Sequence, residues 1–149
     1  MEKKRLSKIL AKADKNVVAS LSAEIQKTHR PIIAKEPGKT LTMIKMREPV
    51  RQSLFYIGEV IVCEAAVEID GVLGVAVLMG DDIEKTLDMA IIDAAINKNI
   101  FTKTETLLEL EREQNDLMMR ENAMHLKTMV SFESMDQEAP DDLAANKKA

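Results

Sequence analysis

The sequence is poor in the residue types that many binding sites use. It has no Trp and only 3% aromatic residues, and a stacking surface for bases needs several exposed rings, so nucleic-acid binding is disfavoured. Its single Cys, at position 63, excludes an internal disulfide and suits a reducing cytoplasm. No apolar run approaches the roughly 18 residues that a membrane-spanning helix requires. We therefore expect a cytoplasmic protein that does not enter a membrane.

Residues that could perform catalysis or bind a metal are equally scarce. His29 and His125 have no Cys, Asp or Glu at the spacing of a metal-ligand set. Cys63 falls on the inward face of a predicted strand, where a packed thiol is favoured over a nucleophile. Asp93 has no partner base, and we interpret it as hydrogen-bonding with polar neighbours on its own helix. The sequence therefore predicts no catalytic residue, no metal site and no cofactor bound by this chain.

The net charge of -4 conceals two parts of opposite sign. Residues 1–51 contain 13 Lys or Arg and 5 Asp or Glu, whereas residues 52–149 contain 8 and 20. The basic part fits a site for a polyphosphate, a surface for an acidic partner, or an ordinary solvated helix surface. Nucleic-acid binding is the weakest interpretation, because the whole chain is acidic and has no reader motif.

The most regular pattern covers residues 58–97, where two strands and a helix follow one another. Asp70 and Gly71 are typical of a two-residue hairpin turn, which fixes the register of the strands. The turn predicts four facing pairs: Ile69 with Val72, Val67 with Gly74, Ala65 with Ala76, and Cys63 with Leu78. Asp81 and Asp82 are expected to supply an N-cap and first-turn negative charge for a helix that runs to about Asn97.

Two apolar surfaces of this unit have no evident cover. They are the sheet face with Val75, Val77 and Met79, and a second ridge of the helix with Met89, Ile92 and Ile96. A helix that is apolar on two sides is usually buried on two sides. The cover is either the chain's own terminal helices or another protein, and the pattern leaves both open.

The rest of the chain predicts a single α+β domain over residues 1–135. Helices are expected at about 4–28, and a strand region at about 32–46 is divided by a turn at Glu36–Lys39. With strands at 59–79 this makes a small antiparallel sheet of about four strands, from two hairpins. The polar connection between residues 47 and 57 contains Arg47 and Arg51, whose guanidinium groups are candidate substrate-binding residues for a phosphate or carboxylate.

A long C-terminal helix is predicted from about residue 103 to 129, and residues 136–149 are predicted to be a flexible tail. The apolar residues of the helix form a thin stripe that includes Leu117 and Met124 and is interrupted by Gln114 and Glu121. Such a stripe buries little surface against its own domain. We interpret this helix as an arm that a partner holds.

Several short motifs, taken in order, resemble the G subunit of the bacterial carbon-phosphorus lyase core complex. They are Gly58-Glu59-Val60, Asp70-Gly71-Val72-Leu73-Gly74, Leu78-Met79-Gly80-Asp81-Asp82 and Ile92-Asp93-Ala94, followed by the ending Lys127-Thr128-Met129-Val130-Ser131-Phe132-Glu133-Ser134-Met135. The resemblance spans nearly the whole chain.

This resemblance implies a role in phosphonate catabolism. Subunits G, H, I and L of that family together displace adenine from ATP with an alkylphosphonate, and subunit J later breaks the carbon-phosphorus bond. The implied partners are chiefly subunit I, and also H and J, with ATP and the alkylphosphonate as substrates of the complex. The chain would then be a non-catalytic transferase subunit. The rival hypothesis is a homodimeric adaptor that buries Val75, Val77 and Met79 against a second copy.

Overall fold

A computed structural model describes residues 2–130. Its elements are α1 (Lys3–Lys12), α2 (Lys15–Thr28), β1 (Ile32–Arg47), β2 (Leu54–Ile69), β3 (Val72–Met79), α3 (Ile83–Asn97) and α4 (Thr104–Lys127). The strands form one antiparallel sheet in the order β1-β2-β3, which confirms the α+β class. The predicted tail, residues 136–149, lies outside the described residues.

The chain divides into two compact units. The first ends at Asn115 and contains the sheet, α1, α2, α3 and the first part of α4. The second begins at Asp116 and contains the rest of α4.

The hairpin of β2 and β3 has the predicted register. Asp70 and Gly71 both adopt positive φ angles, 46° and 83°, as the tight turn requires. This turn chemistry is local, so the sequence is sufficient to specify it. All four predicted pairs are confirmed: Ile69 with Val72, Val67 with Gly74, Ala65 with Ala76, and Cys63 with Leu78.

The prediction of two strands separated by a turn at Glu36–Lys39 is wrong. This segment is an irregular part of one long strand, β1, so the sheet has three strands. Lys35 faces Ala66 and Gly38 faces Glu64, so β1 contains one residue more than β2 here and forms a bulge. Pro37 is tolerated at this place because it lies in the bulge and has no partner in β2, so its missing N–H removes no ladder hydrogen bond.

The connection between β1 and β2 is also shorter than predicted. Strand β2 begins at Leu54 rather than near residue 59, so only residues 48–53 link the two strands. Phe55, Tyr56 and Ile57 belong to β2 and not to the connection. Phe55 and Tyr56 pair with the end of β1, whereas Ile57 is an extra residue of β2 at an irregularity in this pairing. Their aromatic and β-branched side chains suit a strand, and this signal outweighs the polar residues before them.

Helix α3 lies directly against the inner face of the sheet. Of the two aspartates expected at its start, Asp82 is the N-cap, and it accepts a hydrogen bond from the Lys85 backbone N–H at 3.0 Å. A Cβ atom at Gly74 would stand only 2.3 Å from the Ala90 carbonyl oxygen, so the contact between helix and strand requires glycine. The small residues of the hairpin allow this approach.

The second ridge of α3 is covered by the chain itself. Met89 is 2% exposed and Ile92 is 0% exposed, and both belong to the same hydrophobic core as Leu6, Val18 and Leu107. Ile96 is half-buried against that core. The prediction that Met89 and Ile92 contact another protein is therefore wrong, because helices α1 and α2 pack on this side of α3.

Candidate functional site

Strands β1 and β2 extend beyond β3 as a two-stranded ribbon, which consists of residues 41–47 and 54–61. Large apolar side chains on the ribbon are exposed. Leu41 is 60% exposed, Tyr56 57% and Ile61 53%, and Met43, Ile44, Met46, Leu54, Phe55 and Ile57 are exposed to similar degrees. An apolar surface of this extent normally contacts another protein. The sequence did not reveal the ribbon, because residues 47–57 did not appear to form strand.

The outer sheet face, opposite α3, is the second exposed apolar surface. It carries the alternate residues of β3, namely Leu73, Val75, Val77 and Met79, all exposed in the described chain. Met79 is the most exposed of these, at 71%. Glu64 and Glu68 of β2 lie on the same face and are half-buried, and Glu64 forms an ion pair with Lys35. The predicted uncovered face is therefore present, although Val62 within it is buried.

The free edge of β3 is capped by side chains of α3. Asp93 accepts a hydrogen bond of 2.9 Å from the Val75 N–H, and Asn97 donates one of 2.9 Å to the Leu73 carbonyl. Asp93 is 5% exposed and forms an ion pair with Lys3 of α1 at 2.9 Å. Asp93 therefore links α3 to β3 and α1, beyond the contacts on its own helix that the sequence predicted.

The loop at the end of the ribbon contains both candidate substrate-binding residues. The guanidinium group of Arg47 donates to the Gln52 carbonyl at 2.7 Å and so closes the loop. Glu48 accepts hydrogen bonds from the backbone N–H groups of Val50 and Arg51. The loop thus brings Arg47 and Arg51 into one short segment, but part of the donor capacity of Arg47 is already used within the chain.

A buried lysine is the polar residue that sequence reasoning missed. The Lys85 ammonium group donates to the carbonyl oxygens of Ala11 and Ala13, at 2.8 and 2.7 Å, and thereby caps the end of α1. Burial lowers the pKa of Lys85 below its usual value, and the charges of Asp82 and Asp14 oppose this effect. The available signal was its position on the first turn of α3, beside the core residue Thr86.

Within the second unit, α4 exposes both of the residues that we assigned to a partner surface. Leu117 is exposed, as is Met124, together with Met119, Leu126 and Met129. His125 lies on the same exposed segment. Methionine side chains are flexible and suit a contact surface that adapts to its partner.

The remaining polar candidates, Cys63 and His29, lie in separate surroundings within the described residues. Cys63 is fully buried, and its Sγ donates to the Gly80 carbonyl at 3.5 Å. His29 lines a cleft with Thr28, Phe101 and Lys103. Among residues 2–130 there is no group of three or more His, Cys, Asp or Glu side chains that could hold a metal ion. No helix in that same range is long and apolar enough to cross a membrane.

Comparison with known proteins identifies the family. Residues 1–137 match the family model described as phosphonate metabolism protein PhnG. No curated protein matches the chain. The match extends over nearly all of the sequence and includes every element of the fold, together with the ribbon and the outer sheet face. The chain therefore belongs to the PhnG family of phosphonate metabolism proteins.

Proposed function

We propose that this chain is an accessory, non-catalytic subunit of the carbon-phosphorus lyase core complex. In this role it acts with subunits H, I and L to transfer the ribose triphosphate moiety of ATP to an alkylphosphonate with release of adenine. The reaction belongs to phosphonate catabolism in the cytoplasm. The isolated chain binds no cofactor and is inactive. Membership of the family supports the place in phosphonate metabolism.

The observation that carries this proposal is the apolar surface of the first unit. The ribbon and the outer sheet face together expose side chains that a self-sufficient protein would bury. Three of the interface residues expected from the sequence, Val75, Val77 and Met79, lie on this surface. A subunit that is always assembled has such surfaces, because its partners cover them.

The chief partner is subunit I, and subunits H and J make further contacts. Leu117 and Met124 of α4 supply a second contact surface, and Ile96 lies at the border of the core. Met89 and Ile92 are no longer part of the proposed interface, because this chain buries them itself.

Arg47 and Arg51 are proposed to contribute positive charge near the triphosphate of ATP. Arg51 is the better placed of the two, because the Arg47 guanidinium group also closes the loop. Replacing both residues with Ala is expected to weaken the affinity of the assembled complex for ATP. Unchanged activity and unchanged ATP affinity would remove both residues from the proposal.

Co-expression tests the subunit role directly. The chain is produced with subunits H, I and J, purified by an affinity tag on this chain, and weighed by native mass spectrometry. We expect a stoichiometric complex, and little soluble protein when the partners are omitted. Recovery of this chain alone as a folded, well-behaved species in the presence of the other subunits would contradict the proposal.

The homodimeric adaptor is the second candidate, and the apolar row on β3 favours it. Val75, Val77 and Met79 are exposed on one face of the sheet, which a second copy could cover symmetrically. Light scattering on the isolated chain separates the two functions. A stable, monodisperse dimer supports the adaptor, whereas aggregation that partners prevent supports the subunit.

A further inference from the structure

The two edges of the sheet differ in whether their outward backbone N–H and C=O groups have hydrogen-bond partners. Asp93 and Asn97 cap the outward groups of β3, as described above. On the outer side of β1, no backbone hydrogen bond within residues 2–130 joins the strand to another element. This edge is 16 residues long. Free N–H and C=O groups along a strand are a template for a further strand.

One hydrogen bond defines which groups of β1 face outward near the end of the ribbon. The Glu48 N–H donates to the Ser53 carbonyl at 2.9 Å. Hydrogen-bonded pairs alternate with non-hydrogen-bonded pairs along an antiparallel ladder. The backbone groups of Met46 and its partner Phe55 therefore hydrogen-bond to each other. The backbone N–H and C=O groups of Lys45 point away from β2. The same holds for Arg47.

The charge of this edge indicates what kind of strand fits it. Residues 32–47 carry four basic side chains and one acidic side chain. Lys35 and Lys39 are ion-paired with Glu64 and Asp81, but among the described residues Lys45 has no such partner. Two copies of β1 paired antiparallel would bring like charges together, which is destabilising. A strand from a different, acidic segment would complement the charge.

Resting on the proposed function, we propose that a partner subunit adds an extended, acidic segment as a fourth strand along the outer edge of β1, beside Lys45 and Arg47. Backbone hydrogen bonds to the free edge supply the pairing. Carboxylates of the added strand face the basic side chains, and its apolar side chains extend the exposed faces of the ribbon. The occupant is thus a second protein and not a second copy of this chain.

Amide hydrogen exchange in the co-purified complex tests this proposal, with single-residue resolution from electron-transfer fragmentation. The ribbon contains its own control, because Leu54 and Tyr56 direct their N–H groups to the opposite, free edge of β2. We expect the amides of Lys45 and Arg47 to exchange at least about tenfold more slowly in the complex than those of Leu54 and Tyr56, each relative to its unstructured rate. Equal exchange at the two edges, or protection of β2 alone, would overturn the proposal.

Two variants at position 45 separate the contribution of the backbone N–H to assembly from the contribution of the side-chain charge. Lys45→Pro removes an N–H that the chain itself does not use, so the fold is expected to tolerate it. Lys45→Gln removes only the charge. We expect Lys45→Pro to lower the affinity of the chain for its partners at least about tenfold. Lys45→Gln should lower this affinity less, and mainly at low salt. Wild-type assembly of a folded Lys45→Pro chain would overturn the proposal.

The outcomes distinguish the docking mode from the proposed function. If no complex is recovered, the subunit role fails and the docking site fails with it. If the complex is recovered with an open β1 edge, only the docking site fails. If the isolated chain forms a dimer in which the Lys45 and Arg47 amides are protected, the occupant is a second copy and the acidic partner segment is rejected.

Discussion

Gly74 is the residue at which the packing between the sheet and α3 is tightest. An added Cβ would stand 2.3 Å from the Ala94 backbone nitrogen and 2.6 Å from the Ala94 Cβ. Because these are mainly backbone contacts, no side-chain rotation relieves them. We predict that Gly74→Ala lowers the free energy of unfolding in urea by about 3 kcal/mol, the upper end of the usual cost of overpacking.

Gly58 provides the matched control for this substitution. It lies in β2, nothing stands within 4 Å of a Cβ added there, and its φ angle is not positive. Gly58→Ala is therefore expected to leave stability unchanged or to raise it by up to about 1 kcal/mol. If both variants were as stable as the wild type, α3 would not lie as close to β3 as described.

The lowered pKa of Lys85 predicts that the stability of the chain depends on pH. Its folded-state pKa is lowered by burial, so between that value and the usual 10.5 the unfolded chain binds more protons than the folded chain. The free energy of unfolding then rises with pH across this window. Wild type and Lys85→Met are compared by denaturation from neutral pH to about pH 10. We expect the difference, wild type minus variant, to become more positive as pH increases, and a difference independent of pH would contradict the assignment.

At the scale of elements, side chains of α3 cap the edge of β3. A single substitution can remove this contact between helix and strand. Asp93→Ala deprives the Val75 N–H of its acceptor. Losing a buried hydrogen bond costs about 1–3 kcal/mol, so we predict that the Val75 amide exchanges at least about fivefold faster. The Ala76 amide, which points toward β2, serves as the reference for opening of the whole hairpin.

Asn97→Ala is the control for the cap. It releases the Leu73 carbonyl but leaves the Val75 N–H bonded to Asp93. The Val75 amide is therefore expected to stay protected in this variant. Faster exchange at Val75 in both variants would mean that the edge opens with the helix end rather than through loss of a single acceptor.

Sequence reasoning succeeded where structure is determined locally. The Asp70-Gly71 turn specifies its own φ angles and hence the register of β2 and β3, and the Asp81-Asp82 pair supplies the cap of α3. It failed for β1, because Glu36–Lys39 has the composition of a turn whereas pairing with β2 keeps the segment in the strand. That pairing involves residues distant in sequence, which local composition does not report.

At the scale of the whole molecule, the outer sheet face is expected to serve assembly and not folding. We predict that replacing Val77 and Met79 with Ser changes the unfolding free energy of the isolated chain by less than about 0.5 kcal/mol, since both are largely exposed. Recovery of partner subunits in the co-purification is expected to fall. Ala23→Ser, at an exposed position of α2 outside the proposed surfaces, is the control that should assemble normally.

The candidate surface could be predicted only in part. An apolar face on β3 followed from the alternation of residues along the strand, and it is exposed. The same reasoning could not decide what covers Met89 and Ile92, because a sequence pattern shows that a ridge is apolar without showing which element packs on it. The ribbon was missed because its exposure depends on β3 being shorter than β1 and β2, a property of the assembled sheet.

The chain has a single thiol, and the rate at which a reagent labels it can be measured. Cys63 is fully buried on the inner face of the sheet, so a thiol reagent reaches it only when the structure around that face opens. The rate of labelling therefore reports this opening without any engineered probe. If partners stabilise the sheet by covering its exposed face, labelling should slow as they are added, and the ratio of rates measures the stabilisation in the assembled state.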